Sequence, residues 1–189
     1  MPIVIESRRK KLATLSTAWP GALVRDVTSK GPQPWVRFSP FYPHGGIPVP
    51  NTSDEMAASV EGVWQGLKVF EKEDIDPVKW AITTMRGIKR SGRNRGVVRG
   101  HRFGIGSNLL LDYRTARYRI YLPVYRWVLE NHLQNEVTQL REEMTDRTLV
   151  LLDYETNTDP NDLSHPLSHA ALVKCHLEGR WPEGTALGT

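Results

Sequence analysis

Glu61, Gln65 and Lys68 stand at i, i+4 and i+7 within the stretch Ser59–Lys68. Read at helical period, they line up along one edge of a helix as carboxylate, carboxamide and ammonium. Such a set can do chemistry. The carboxylate can act as a general acid or base, or stabilise a developing positive charge. The carboxamide can hold a hydroxyl, and the ammonium can meet a phosphate or keep the carboxylate ionised. The same edge can equally be a solvated face. Beside it, Val60, Val63, Trp64 and Leu67 make an apolar stripe fit for a core. Gly62 and Gly66 interrupt the pattern, each costing about 1 kcal/mol against Ala in a helix. Glycines four apart leave a bare strip that admits a packed element or a ligand.

Two neighbouring stretches bear on this edge. Upstream, Phe38 to Pro50 holds four prolines and two glycines, which exclude regular structure over most of it. Its rings Phe38, Phe41 and Tyr42 either staple a loop over the core or wall a pocket that stacks on a flat ligand. Thr52 and Glu55 have capping-box spacing, which predicts a helix over about 53–70. Downstream, Arg86 to Arg102 contains seven Lys/Arg and no acid. Lys89, Arg90, Arg93, Arg95, Arg99 and Arg102 are therefore candidates for phosphate or nucleic-acid backbone contact. Interleaved glycines predict a basic Gly-rich loop or irregular hairpin over 86–108. Gly104 to Asn108 can cradle a phosphate, without the full dinucleotide fingerprint.

The rest of the chain supplies the frame. Glu6 to Leu15 reads as a short basic helix, and Ala22–Val27 and Trp35–Phe38 as strands. Asp76-Pro77 opens another helix. Ala116 to Met144 is helical in pattern, broken near Pro123. Thr148–Asp153 is the clearest strand, a nearly continuous apolar run of the kind covered on both faces. Asp153 and Glu155 at its end point to one face, as acid/base or ribose-binding groups or as ordinary loop acids. Pro166 to Leu177 reads as a helix. His165 and His169 are four apart but lack a third ligand, so no metal is expected. Nucleophile-elbow, P-loop and zinc-finger spacings are absent, and no cofactor is expected.

At 189 residues the chain is expected to form one domain, with 1–30 as a candidate N-terminal extension. The pattern predicts an α+β fold, mainly helical, with a small β-sheet that includes Leu149 to Asp153. Net charge is a modest +4. No apolar run reaches membrane-spanning length. The early basic run follows the apolar one, the wrong order for a secretory signal. The lone Cys175 fits a reducing compartment. A cytoplasmic protein without a membrane partner is expected.

Two of these stretches together resemble the NADAR family. Phe38, Ser39, Phe41 and Tyr42 match its Phe-Ser-x-Phe-Tyr loop, and Val60, Glu61, Gln65, Lys68 and a displaced Phe70 match its helix motif. Gly62 stands where that family carries His. Members are N-glycosidases that act on phosphorylated early intermediates of riboflavin synthesis or remove ADP-ribose from guanine in DNA. The resemblance implies Glu61 as the catalytic carboxylate and Phe41 and Tyr42 as pocket walls. Phe38, Ser39, Trp64, Gln65, Lys68, Asp153 and Glu155 complete the expected substrate-binding set. The implied partner is a phosphorylated ribosyl small molecule or ADP-ribosylated nucleic acid. Two other functions fit the residues: a nucleic-acid-binding accessory protein using the Arg86–Arg102 run, and a catalytically silent nucleotide-binding scaffold.

Overall fold

A computed structural model describes residues 2–183. The elements run β1 (Ile3–Ser7), α1 (Leu12–Ala18), β2 (Leu23–Asp26), β3 (Ile47–Pro48), β4 (Met56–Ala57), α2 (Val60–Gly66) and β5 (Lys68–Phe70). They continue with β6 (Val98–Arg102), β7 (Leu110–Leu111), α3 (Tyr113–Ala116), α4 (Leu122–Asn131), α5 (Gln134–Glu143), β8 (Leu149–Asp153) and α6 (His169–Leu177). The fold is α+β, as the residue pattern predicts. The chain divides into two units, one of residues 2–39 and 129–182, the other of residues 40–128. No helix among the described residues is long and apolar enough to cross a membrane.

The first unit is built on a three-stranded parallel sheet in the order β1-β8-β2. All five residues of β8 are buried, which explains its unbroken apolar run: a central parallel strand is covered on both faces. Ile3, Val4 and Ile5 are β-branched and suit a strand. They pair with Leu149, Val150 and Leu151. The predicted Glu6–Leu15 helix is therefore replaced by a strand and a later helix. Residues 3–26, which lie within the candidate extension 1–30, supply both outer strands and the crossover helix between them. Leu15 packs with Val150 and Leu152, flanked by Trp19, Ala22 and Val24. Trp35–Phe38 is a 3-10 turn and not a strand. Prolines at 32 and 34 enforce the tight turn, with Val36 N–H donating to the Pro32 carbonyl and Arg37 N–H to that of Pro34.

The second unit holds the antiparallel sheet β5-β6-β7 and the short β3-β4 ladder. The predicted helix over 53–70 shrinks to α2. Asn51 and Asp54 adopt positive φ, and Met56–Ala57 pairs with Ile47–Pro48. The true N-cap is Ser59, whose Oγ accepts from Gly62 N–H at 3.0 Å. The two glycines of α2 serve packing. A Cβ on Gly66 would lie 2.0 Å from Trp80 Nε1, and one on Gly62 would lie 2.8 Å from the Lys79 carbonyl oxygen. Both neighbours come from a 3-10 turn, Pro77–Ala81, where the sequence pattern predicts a helix. The long helix predicted from Ala116 starts earlier, capped by Asp112. It contains a π-helical stretch, Arg117–Tyr121, just before Pro123. His132 and Leu133 then separate α4 from α5.

Candidate functional site

The site assembles in residues 40–128, around Glu61 in the first turn of α2. Glu61 N–H donates to the Pro40 carbonyl at 2.8 Å, which ties the start of the aromatic loop to the helix. The side chain faces inward, leaving the residue 8% exposed. Gln65 Nε2 donates to Glu61 Oε1 at 2.8 Å. Gln65 Oε1 in turn accepts from the Arg90 backbone N–H at 3.0 Å. With its acceptor end claimed, the carboxamide must present its NH2 group to Glu61. Glu61 Oε2 has no protein partner among the described residues.

Burial pushes the Glu61 carboxyl above the ordinary carboxylate range; the Gln65 hydrogen bond and the charges of Lys89 and Lys68 oppose that rise. Burial also pulls the Lys68 ammonium down, opposed by Glu61 and reinforced by Arg90 and Lys89. Lys68 is the first residue of β5 and not part of the helix, yet it still reaches the Glu61 field. Lys89 lies with its Nζ 5.3 Å from the Phe41 ring centroid, a cation–π distance. The ring of Tyr42 is 4.8 Å from that of His44. Phe41, Tyr42, Gln65, Lys68 and Lys89 therefore share the Glu61 unit.

Trp64 lies one helical turn from Glu61 on α2. Its ring stacks on the His101 imidazole with centroids 3.7 Å apart. Tyr113 and Tyr121 meet it edge-on, each at 5.7 Å. The π-helical stretch delivers Tyr121 to this cluster, and such stretches recur at functional sites. His101 is absent from the residue set expected above. A single imidazole inside a basic Gly-rich run has no partner at recognisable spacing, so nothing in the sequence marks it. The antiparallel pairing of β5 with β6 places it directly across from Lys68.

The basic stretch divides among several tasks. Arg90 is buried, and its guanidinium donates to the carbonyls of Gln65 at 3.0 Å, Lys68 at 2.5 Å and Asp74 at 2.7 Å, and to Glu73 Oε1 at 2.9 Å. It serves as an internal clamp and has no surface to offer a nucleic-acid backbone. Arg95 pairs with Glu73, Arg99 with Glu71 at 3.6 Å and Arg102 with Asp74 at 2.6 Å. Arg93 is exposed. Counting charge within 86–102 misses these acids, because residues 71–76 are distant in sequence and brought near by the β5–β6 pairing. Val98–Arg102 is a strand, antiparallel to Leu110–Leu111 and irregular in its register with β5, inside the stretch read as a loop or irregular hairpin.

Phe38, Ser39, Asp153 and Glu155 belong to the other unit. Phe38 is fully buried and stacks on Trp35 at 6.3 Å; Ser39 is buried too. Asp153 is held within its own unit. Its Oδ2 accepts from Ser168 Oγ at 2.7 Å and pairs with His169 Nδ1 at 2.9 Å, while Oδ1 accepts from Tyr154 N–H at 2.7 Å. Glu155 is half-buried in the turn that follows. His169, one of the two histidines at metal-like spacing, is buried between Asp153 and the Val27 carbonyl. Among the described residues, no three His, Cys, Asp or Glu side chains gather as a metal site.

A comparison with curated proteins found no match. Residues 7–173 match the profile of DUF6939, a family of unknown function. That span includes β8, the Glu61 site and most of both units, and the chain belongs to the DUF6939 family.

Proposed function

We propose that this protein is an N-glycosidase that hydrolyses the bond between a base and the ribose of a phosphorylated ribosyl compound, such as an ADP-ribosylated base or a ribosyl-phosphate intermediate. One observation carries the reading: a buried carboxylate, Glu61, oriented by Gln65 on one oxygen, without a protein partner among the described residues on the other, and acted on by the positive charges of Lys89 and Lys68. A buried, oriented carboxylate with a raised pKa is the type of group used to handle protons near neutral pH.

In the proposed reaction the C1′–N bond breaks, with its electron pair going to the base nitrogen. The ribose ring acquires positive charge, which the Glu61 carboxylate stabilises. Water adds its oxygen to C1′. Glu61 takes one water proton, and the leaving base receives it, so the carboxylate is regenerated. Lys68 and Lys89 supply positive charge for the phosphate, and Phe41 and Tyr42 offer rings for the base. The resemblance of the Phe38–Tyr42 and Val60–Phe70 motifs to the NADAR family supports the same reading. The lone Cys175 fits a cytosolic setting.

The test is base release followed by mass spectrometry. Substrates are ADP-ribosylated guanine in DNA, ADP-ribose conjugates and riboflavin-pathway ribosyl phosphates. Release that disappears in Glu61→Gln supports the glycosidase. Release that persists unchanged in that variant removes Glu61 from the chemistry. ADP-ribose binding without release from any substrate would favour the silent scaffold.

A further inference from the structure

His101 is fully buried on β6, and neither ring nitrogen has a hydrogen-bond partner among the described residues. Buried polar groups are nearly always satisfied, so an imidazole with both nitrogens unpaired keeps its hydrogen-bonding capacity for a group that the polypeptide does not supply. Three observations relate His101 to Glu61. His101 is the direct cross-strand partner of Lys68 in the β5–β6 ladder, and opposed residues of an antiparallel pair project from the same face. The Lys68 charge acts on both Glu61 and His101. Trp64, one helical turn from Glu61, stacks on the imidazole and fixes the plane of the ring.

The charge state narrows the ligand group. Burial, with Lys68 and Arg90 adding to it, holds the His101 pKa down to about 3. The ring is therefore neutral at physiological pH, with one nitrogen donating and the other accepting. A phosphate is better met by the nearby ammonium groups. A hydroxyl, which both donates and accepts, matches a neutral imidazole in either tautomer.

We propose that His101 is a ligand-contacting residue of the Glu61 site, its imidazole held against Trp64 and hydrogen-bonded to a sugar hydroxyl of the ligand. This role rests on the ribosyl reading of the site and adds to it the residue that discriminates the sugar. Tight recognition of a hydroxyl by a buried hydrogen-bonding group is a strong source of specificity, because the group is left unpaired when the hydroxyl is absent.

The test uses the full chain with ribose 5-phosphate and ADP-ribose as probes, titrated by calorimetry. His101→Phe keeps an aromatic ring on Trp64 and removes both nitrogens. It is expected to weaken binding of either probe by about tenfold or more, while Glu61→Gln still binds. Should His101→Phe fold poorly, the wild-type protein answers directly. The ring nitrogen signals of His101 in a nitrogen-15 spectrum are expected to shift when ribose 5-phosphate saturates the site. Equal affinity in His101→Phe, unmoved nitrogen signals at saturation, or no binding of either probe each overturns the role. Binding through His101 without base release from any substrate overturns the glycosidase and leaves this contact standing. Base release that is indifferent to His101→Phe does the reverse.

Discussion

The Gln65 side chain donates to Glu61 at 2.8 Å while the opposite end of its carboxamide is held by a backbone N–H of the basic stretch. The orientation of the candidate catalytic carboxylate is thus set by a residue one helical turn away. That residue is itself set by a segment 25 positions further along the chain. Replacing Gln65 by Glu removes the donor and places a second carboxylate beside the first. Base release is expected to fall by about 100-fold or more, with the pH profile displaced toward higher pH. Gln65→Leu is expected to lose rate without that displacement. Rate measurements across pH for both variants separate orientation from charge.

Glu61 is held in an unfavourable state when ionised. Its folded pKa lies above the ordinary value, so the native state binds the proton more tightly than the unfolded chain does. Stability contributed here therefore falls as pH rises from the ordinary Glu value of 4.5 through the folded value, then stays low. Glu61→Gln removes the ionisation. Its melting temperature is expected to exceed that of the wild type, with the gap opening as pH rises above 4.5. A gap that is constant from pH 4 to pH 8, measured by calorimetry, would speak against a raised pKa. Loss of activity together with a gain in stability is the pattern of a functional group held against the interest of the fold.

Arg90 acts as a clamp between the end of α2, the turn at 73–74 and the basic stretch. Arg90→Ala leaves three carbonyl groups without their donor and is expected to cost about 3 kcal/mol or more in denaturant unfolding. Arg90→Lys is expected to recover only part of this, because one ammonium cannot reach acceptors spread around a planar fork. Arg93→Ala, on the exposed tip, is expected to stay within about 0.5 kcal/mol of wild type.

Gly66 marks where α2 meets the Trp80 indole. Gly66→Ala is expected to destabilise by about 2 kcal/mol or more despite the better helix propensity of Ala, since the new methyl falls within the indole ring edge. Combining it with Trp80→Leu makes room, so the double variant should lose less than the sum of the two singles. Strict additivity in a double-mutant cycle would count against the contact.

The Asp153–His169 pair gives the other unit a separate pH signature. Burial alone would push the His169 imidazole down, but Asp153 overrides it, with the Val27 carbonyl and Asp26 adding, and the folded pKa is raised. Its stabilising effect is complete below the ordinary His value of 6.5 and is lost as pH rises through the folded value. For Asp153, burial opposes ionisation, yet His169, Ser168 and Ala170 bring the folded pKa below the ordinary one. That stabilisation is present above 3.8 and is lost as pH falls through the folded value. Both effects coexist between these two ordinary values. His169→Gln is therefore expected to show its largest loss of stability there and a smaller loss at high pH, read from melting curves over a pH series.

Short-range chemistry was enough to identify several parts of the molecule. The run Leu149-Val150-Leu151-Leu152, ending at Asp153, pointed to a buried strand, because four apolar residues in succession suit a strand covered on both faces. The spacing of Glu61 and Gln65 determined their contact, because residues four apart on a helix are neighbours however long the helix is. Proline and glycine excluded regular structure from most of the aromatic loop. The sequence also carried the apolar face of α2 and the two glycines that let another element approach it.

Tertiary structure decided the rest, and the reason each time is a partner remote in sequence. Ile3–Ser7 became a strand because β8 offered an edge to pair with. Thr52–Glu55 did not cap a helix because Met56–Ala57 pairs with Ile47–Pro48 and delays the helix to Ser59. The basic stretch lost much of its free charge to Glu71, Glu73 and Asp74, and Arg90 turned inward. His101 reached Lys68 and Trp64 only through strand pairing. Local spacing set which side chains could meet within one helical turn; the β5–β6 register set which of the distant ones joined them.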